Sequence, residues 1–234
     1  MEQKPSIAVL TGDIVSFSDY AESTRKEILS MLNQAAVHIQ NLYPAVLPYD
    51  IGLYRGDGWQ LVVLNPSLAL RIALLIRCIL KTGINNKDMD TRIAIAIGAA
   101  DYLPEGNIET GDGEVFRASG YLLESLSRQT HLGCRWPAAG SATVEEVLDA
   151  MLQLLDSIVN QWTVRQARAV TGALQGWRQI DIAQSWIPES ISQQAVAQHL
   201  DSASWSVLSH AVGVFEKTVL ASLSQRSKTT NRTS

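Results

Sequence analysis

The residues best suited to do chemistry in this chain are two aspartates in short, glycine-flanked motifs. Asp13 ends an apolar run in Leu10-Thr-Gly-Asp-Ile-Val-Ser-Phe17, and Asp57 lies in the turn Arg55-Gly-Asp-Gly-Trp59. A hard divalent cation such as Mg²⁺ or Mn²⁺ takes oxygen ligands, and two carboxylates suffice when a phosphorylated ligand and water complete its octahedron. If the strand that ends at Asp13 lies beside the hairpin that carries Asp57, both carboxylates converge on one edge of a sheet. The plainer alternative is that Asp57 only makes the turn and Asp13 only ends a strand. Cys78 and Cys134 have no second Cys or His at metal-ligand spacing. They read as buried thiols in a reducing compartment, not as a disulfide framework or a zinc site.

A second candidate set lies near the C-terminus, in Ile191-Ser-Gln-Gln-Ala-Val-Ala-Gln-His-Leu200. Ser192 is a natural N-cap, and Val196 and Leu200 share one helical face. That leaves Gln193, Gln194, Gln198 and His199 pointing outward. The pattern resembles the recognition helix of helix-turn-helix proteins, in which glutamines read adenine edges while arginines, here Arg165, Arg168 and Arg178, meet phosphates. Ser185-Trp-Ile-Pro-Glu-Ser190 lengthens the turn before this helix, and the helix itself holds no Lys or Arg. A helical bundle serving protein interaction or dimerisation is the other reading.

The elements that must position these residues follow from hydrophobic period. Ile7 to Leu10 reads as a strand, and Thr24 to Ile39 as a helix with Ile28, Leu32, Ala35, Ala36 and Ile39 on one face. Tyr49 to Tyr54 and Trp59 to Leu64 flank the Gly-Asp turn as a hairpin. Leu68 to Leu80 predicts a helix, and Thr91 to Ile97 alternates with period 2 as a strand ending at Gly98. The order is βαββαβ, so the expected fold is α+β, a ferredoxin-like domain with helices on one face of an antiparallel sheet. After a Gly/Asp-rich loop at 109–114, Val115 to Leu126 reads as a helix and Thr130 to Gly140 as a linker. Ala142 to Val159 reads as a long amphipathic helix, a hinge or dimer stalk. Helices over Val164 to Leu174, Arg178 to Trp186 (with Ile180, Ile182 and Ala183 inward), Ser192 to Leu200 and Trp205 to Leu220 complete an all-α helix-turn-helix domain. The expected division is 1–140, a connecting helix at 141–160, 161–222, and a disordered polar tail at 223–234.

With that element order, the aspartate motifs resemble the class III nucleotidyl cyclases over about residues 5 to 130. Asp13-Ile14 with Phe17 matches the first metal motif, Gly56-Asp57 the second, and Arg92 to Gly98 the strand that follows. The resemblance implies that Asp13 and Asp57, with the carbonyl of Ile14, hold Mg²⁺ or Mn²⁺ against a nucleoside triphosphate. It also implies nucleotide contacts from Phe17, Gly56 and Arg117. The family's base-selecting Lys and its transition-state Asn and Arg are replaced here by Leu53, Phe116 and Gly120. Arg117 stands one position off that pattern, so no residue is assigned a catalytic role. Joined to a helix-turn-helix, the whole chain is similar to the SatD family of bacterial proteins.

Composition bounds these readings. The 234 residues are 46% hydrophobic and 18% charged, a globular composition with room for two modest domains. No window has the ~18 consecutive apolar residues of a membrane span, and no secretory pattern opens the chain, so a cytoplasmic location is expected. Residues 1–160 carry 12 Lys and Arg against 19 Asp and Glu, net −7, whereas 161–234 carry 7 against 4, net +3. The acidic front argues against polyanion binding over its whole surface, and the mildly basic back permits it. The reading that joins these features is a DNA-binding transcriptional regulator with a catalytically degenerate, nucleotide- or metal-binding cyclase-like domain, acting as a homodimer. A metal-dependent enzyme acting on nucleoside triphosphates is the alternative.

Overall fold

A computed structural model describes residues 4–54, 56–83, 89–104, 106, 108–136 and 142–230, without the side chains of 109 and 226–230. Arg55, residues 137–140 of the expected linker, 141 at the start of the expected connecting helix and 231–234 of the expected tail lie outside the described residues. The chain opens with β1 (Ser6–Ile14), α1 (Glu22–Leu42), β2 (Gly52–Tyr54), β3 (Gly58–Val63), α2 (Ala69–Lys81) and β4 (Thr91–Ala99). It continues with α3 (Glu114–Ser125), β5 (Leu132–Arg135), α4 (Ala142–Val159), α5 (Val164–Leu174), α6 (Gln179–Gln184), α7 (Gln193–Ser202) and α8 (Trp205–Thr230). Among the described residues the sheet runs β2-β3-β1-β4-β5, antiparallel except for the parallel β4–β5 pair.

Alternation along β1 divides the core into two layers. Ala8, Leu10 and Ile14 join α1 and α2 on one face, whereas Ile7 and Val9 meet Val115 and Phe116 of α3 on the other. The segment expected to be a linker contains β5, which extends the sheet beyond β4. Its four residues include Gly133 and Arg135, and only pairing with β4 makes them a strand.

Helix α4 is not a free stalk. Leu148, Leu152, Leu155 and Val159 are buried in the same core as the sheet, because β5 offers them an apolar surface. Helix α2 is apolar on nearly all sides because α1 and the sheet cover one flank and α5 and α8 the other. Its two arginines are paired where they enter this core. Arg71 bonds Glu216 of α8 at 2.7 Å and the Leu174 carbonyl at 2.9 Å. Arg77 is fully buried and forms a two-point pair with Asp90 at 2.9 and 2.6 Å, with Asp156 of α4 at 2.7 Å. The final helix α8 continues to Thr230, past Leu223 where the tail was expected to begin. Ile180, expected inward, is 39% exposed, while Ile182 and Ala183 are buried. Both cysteines are free and buried. Among the described residues no helix is long and apolar enough to cross a membrane.

Candidate functional site

Strand register builds the site. Asp13 stands opposite Gly58 of β3 on one side and Arg92 of β4 on the other. Asp57, the residue before Gly58, is thereby brought to the same sheet edge as Asp13. The two side chains line two adjoining clefts of about 750 and 710 Å³, which share Asp13, Asp57 and Arg92. The convergence predicted from the glycine-flanked motifs is therefore present in the geometry.

Glycine is required at position 12. A Cβ there would stand 2.6 Å from the Arg92 carbonyl oxygen and collide with the indole of Trp59. Buried Trp59 donates its Nε1–H to Thr91 Oγ1 at 2.9 Å, and that hydroxyl donates to the Asp13 carbonyl at 2.6 Å. Asp13 is thus fixed through its backbone from beneath the sheet, leaving its carboxylate for the opposite face. On that face Thr11 exchanges a hydrogen bond with Ser119 of α3 at 2.7 Å and accepts from Gln60 at 3.0 Å. Gly56 has φ +86°, the left-handed conformation that the hairpin turn demands.

The chain after β1 forms the floor of the second cleft. The Val15 N–H donates to the Asp90 carbonyl at 3.0 Å, and Ser16 adopts a left-handed conformation with φ 55°. Arg25 ties the loop by donating to the Tyr20 carbonyl at 2.7 Å and the Ser18 carbonyl at 3.2 Å, with its guanidinium 5.9 Å from the centre of the Phe17 ring. Phe17 packs against the core. Ile14 is buried there by its side chain and borders the second cleft.

Arg92, known from the sequence only as a strand residue, lines both clefts. Its Nε bonds Asp13 Oδ1 at 2.9 Å, its Nη2 bonds Asp13 Oδ2, and its Nη1 bonds the Leu126 carbonyl at 3.1 Å. The Asp13 hydrogen bonds hold this guanidinium firmly charged. Among the described residues Asp57 has no such partner. Partial burial and then the charge of Asp13 push its carboxyl above the usual range, against the lowering effects of a backbone hydrogen bond and Arg92. Among the described residues Asp13, Asp57 and Glu124 line the first cleft with Arg92 as its cation, a negative excess that a divalent ion would neutralise, whereas Arg25, Arg92 and Arg128 balance the acids of the second. Among the described residues no group of three or more His, Cys, Asp or Glu converges. A cation here would therefore take Asp13 and Asp57 as protein ligands and need oxygens from its companion ligand, which is the donor set Mg²⁺ and Mn²⁺ accept with phosphates.

Arg117 does not join this site. It lies near the start of α3, where it pairs with Asp112 at 2.9 Å and approaches Asp101 at 4.0 Å, at the edge of the sheet away from Asp13. One helical turn further along, Gly120 lines the first cleft, and a Cβ at that position would meet nothing within 4 Å. Phe116 is buried in the α3-side layer of the core and does not line either cleft.

In the C-terminal part, α7 exposes Gln193, Gln194 and Gln198, and Ser192 caps it by accepting from the Ala195 N–H at 3.1 Å. His199 is not turned outward. Its ring stacks on Trp186 with centroids 5.5 Å apart, and burial followed by the nearby Arg165 charge lowers its pKa. Arg168, expected at a phosphate, instead donates to the Ile187 carbonyl and covers Trp186 at 5.5 Å. Arg178 pairs with Asp181 at 2.8 and 2.9 Å. Arg165 is exposed. Residues 185–192 separate α6 from α7, and the buried Trp186 makes this long connection part of the core.

No protein-family model matches the sequence, and no curated protein matches it either. Solved structures that match include the adenylyl cyclase CyaB from P. aeruginosa, with 17% identity over 53% of this chain and 74% of that one, at a TM-score of 0.37. The guanylyl cyclase Cya2 matches with 17% identity over 51% of this chain and 71% of that one, at a TM-score of 0.35.

Proposed function

We propose that this chain binds a nucleoside triphosphate together with Mg²⁺ or Mn²⁺ where its two clefts meet, in a cyclase-type, ferredoxin-like domain. The observation that carries this reading is the junction itself. Asp13 and Asp57 share one edge with Arg92, both line open clefts beside glycine-flanked turns, and among the described residues the first cleft carries more acid than base. A bound divalent ion would neutralise triphosphate charge and orient the phosphates. The chain's own residues then divide the work. Asp13 and Asp57 hold the cation, Arg92 fixes the direction of the Asp13 carboxylate, and Gln60 and Thr11 offer polar contacts on the wall of the first cleft.

Efficient cyclisation would also need donors aimed at the charge that develops on the transferring phosphoryl group. The α3 positions for them hold Phe116, which faces the core, and Gly120, which has no side chain. Binding with at most trace turnover is the function this supports. Exposed Leu53 and half-buried Leu123 on the wall of the first cleft offer apolar surface that a second copy would cover, which favours a homodimer. Arg178 pairs with Asp181 and Arg168 lies over Trp186 inside an apolar cleft, not on an open basic face, so the SatD-like architecture enters here through its cyclase-type half.

Titration with Mn²⁺, followed by the paramagnetic signal of the free ion, tests the proposal. Uptake of about one ion should depend on added ATP or GTP, because two carboxylates alone leave most of the coordination sphere to water. Nucleotide-independent uptake, or none in either condition, would overturn it.

A further inference from the structure

A third cleft, of about 340 Å³, opens at the seam between the sheet-bearing part and the C-terminal helices. Its volume lies at the small end of ligand pockets. Ile79 of α2, Ile182 of α6, Trp177, Trp186 and Ile187 form its apolar walls. Trp177 is 43% exposed and Ile187 70% exposed at its mouth, so large apolar side chains are held open to solvent. The polar groups of its lining are largely hydrogen-bonded already. His38 Nε2 and Gln175 Oε1 are 3.0 Å apart, Gln175 donates to the Thr171 carbonyl at 3.0 Å, and Thr82 donates to the Ile79 carbonyl at 2.6 Å.

Arg168 differs from these groups. Among the described residues it is the only lining residue with a permanent charge, and no carboxylate lines the cleft with it. Among the described residues it forms one hydrogen bond, to the Ile187 carbonyl, although a guanidinium carries five N–H donors. Its guanidinium is also held over Trp186, so its direction is set before any ligand arrives.

We propose that this seam cleft binds a small aromatic carboxylate, with the flat ring between Trp177 and Ile187 and the carboxylate on Arg168. Apolar walls that hold, among the described residues, one preorganised cation and no acid select a monoanion with an apolar body. A peptide helix, about 10 Å across, is too wide for the space. Trp186 also stacks on His199, which places the ligand one side chain from α7 and its exposed glutamines.

Calorimetric titration of the full chain with 2-naphthoate, and with the uncharged 2-naphthamide, tests the assignment. One saturable site is expected for the acid, with the amide at least about fivefold weaker, the scale of a partly exposed charge pair. Arg168→Gln should weaken the acid to the level of the amide. Because Arg168 also holds the connection after α6, Ile187→Asp and Ile187→Lys at an exposed position give an independent check. The first should weaken binding about fivefold and the second should strengthen it. No saturable heat, equal affinity for acid and amide, or affinities unmoved by both Ile187 variants would overturn the proposal. A dimer that Ile187→Asp dissociates would overturn it too, by showing that a second copy covers the cleft.

Discussion

Replacing Asp57 by Asn should move the stability of the free protein and of its ligand complex in different directions. In the free protein the Asp57 carboxyl is pushed up by burial and by Asp13. A group with a raised folded pKa adds stability that is fully present below its unfolded value near 3.8 and is lost as pH rises through the folded value. At pH 7 the ionised side chain is therefore unfavourable, and Asp57→Asn without ligand should melt no lower than the wild type. With Mn²⁺ and ATP the order reverses. Ligand at about 100 times its dissociation constant stabilises a protein by ~2.7 kcal/mol. For a chain of 234 residues, at ~2–4 °C per kcal/mol, the wild-type melting temperature should rise by about 5–11 °C. If losing one of two carboxylate ligands weakens binding ~100-fold, the same ligand concentration leaves about 0.4 kcal/mol, or ~1–2 °C. Asp13→Asn gives a contrasting result, because it takes one acceptor oxygen and the neutralising charge from the partly buried Arg92. It should lose the ligand effect and also lower the ligand-free melting temperature, at a cost of about 1–2 kcal/mol. Differential scanning fluorimetry of the three proteins, with and without ligand, reads all of these shifts. A full ligand-induced rise in Asp57→Asn would refute the placement of the cation.

Other sites lead to equally direct outcomes. Gly120→Arg should fold at least as well as the wild type, since its Cβ meets nothing and Gly costs about 1 kcal/mol within a helix, and it should bind Mn²⁺-ATP more tightly in the same melting assay. Burial pushes Asp90 up, but the charge and hydrogen bonds of Arg77 outweigh it and hold the carboxyl well below the usual range. Its contribution is present above pH ~3.8 and is lost only as pH falls through the much lower folded value. Asp90→Asn should therefore cost about 3–5 kcal/mol in urea unfolding at pH 7 and shift acid unfolding to higher pH. Burial pushes the Cys78 thiol up to about 12 and raises that of Cys134 as well. Neither should react with a disulfide reagent at pH 8 until denaturant is added, when both should, as absorbance of the released thiolate will report.

Hydrophobic period was enough to locate most elements and the two aspartates. The alternation of Thr91-Arg-Ile-Ala-Ile-Ala-Ile97 marks a strand, the Gly56-Asp57 turn marks a hairpin, and Ala142–Val159 was legible as a helix to the residue. These features depend on neighbours close in sequence, where side-chain direction repeats every 2 or 3.6 residues. Position in space depends on partners far along the chain. Arg92 could be placed on the polar side of its strand from the alternation alone, but only the β1–β4 register sets it against Asp13. The Thr91–Trp59 bond that anchors the Asp13 backbone likewise joins two different strands. Helix-turn-helix spacing suggested outward faces for Arg168 and His199, yet both pack on Trp186, because the connection after α6 folds that ring back into the core. Similarly, Leu132–Arg135 becomes a strand only when β4 supplies its hydrogen bonds, and α2 is apolar all round because α5 and α8 cover its second flank. Local pattern thus determined the elements and the residue types at their ends. Long-range register and the burial of shared faces, which arise only when the whole core assembles, decided which of those residues meet.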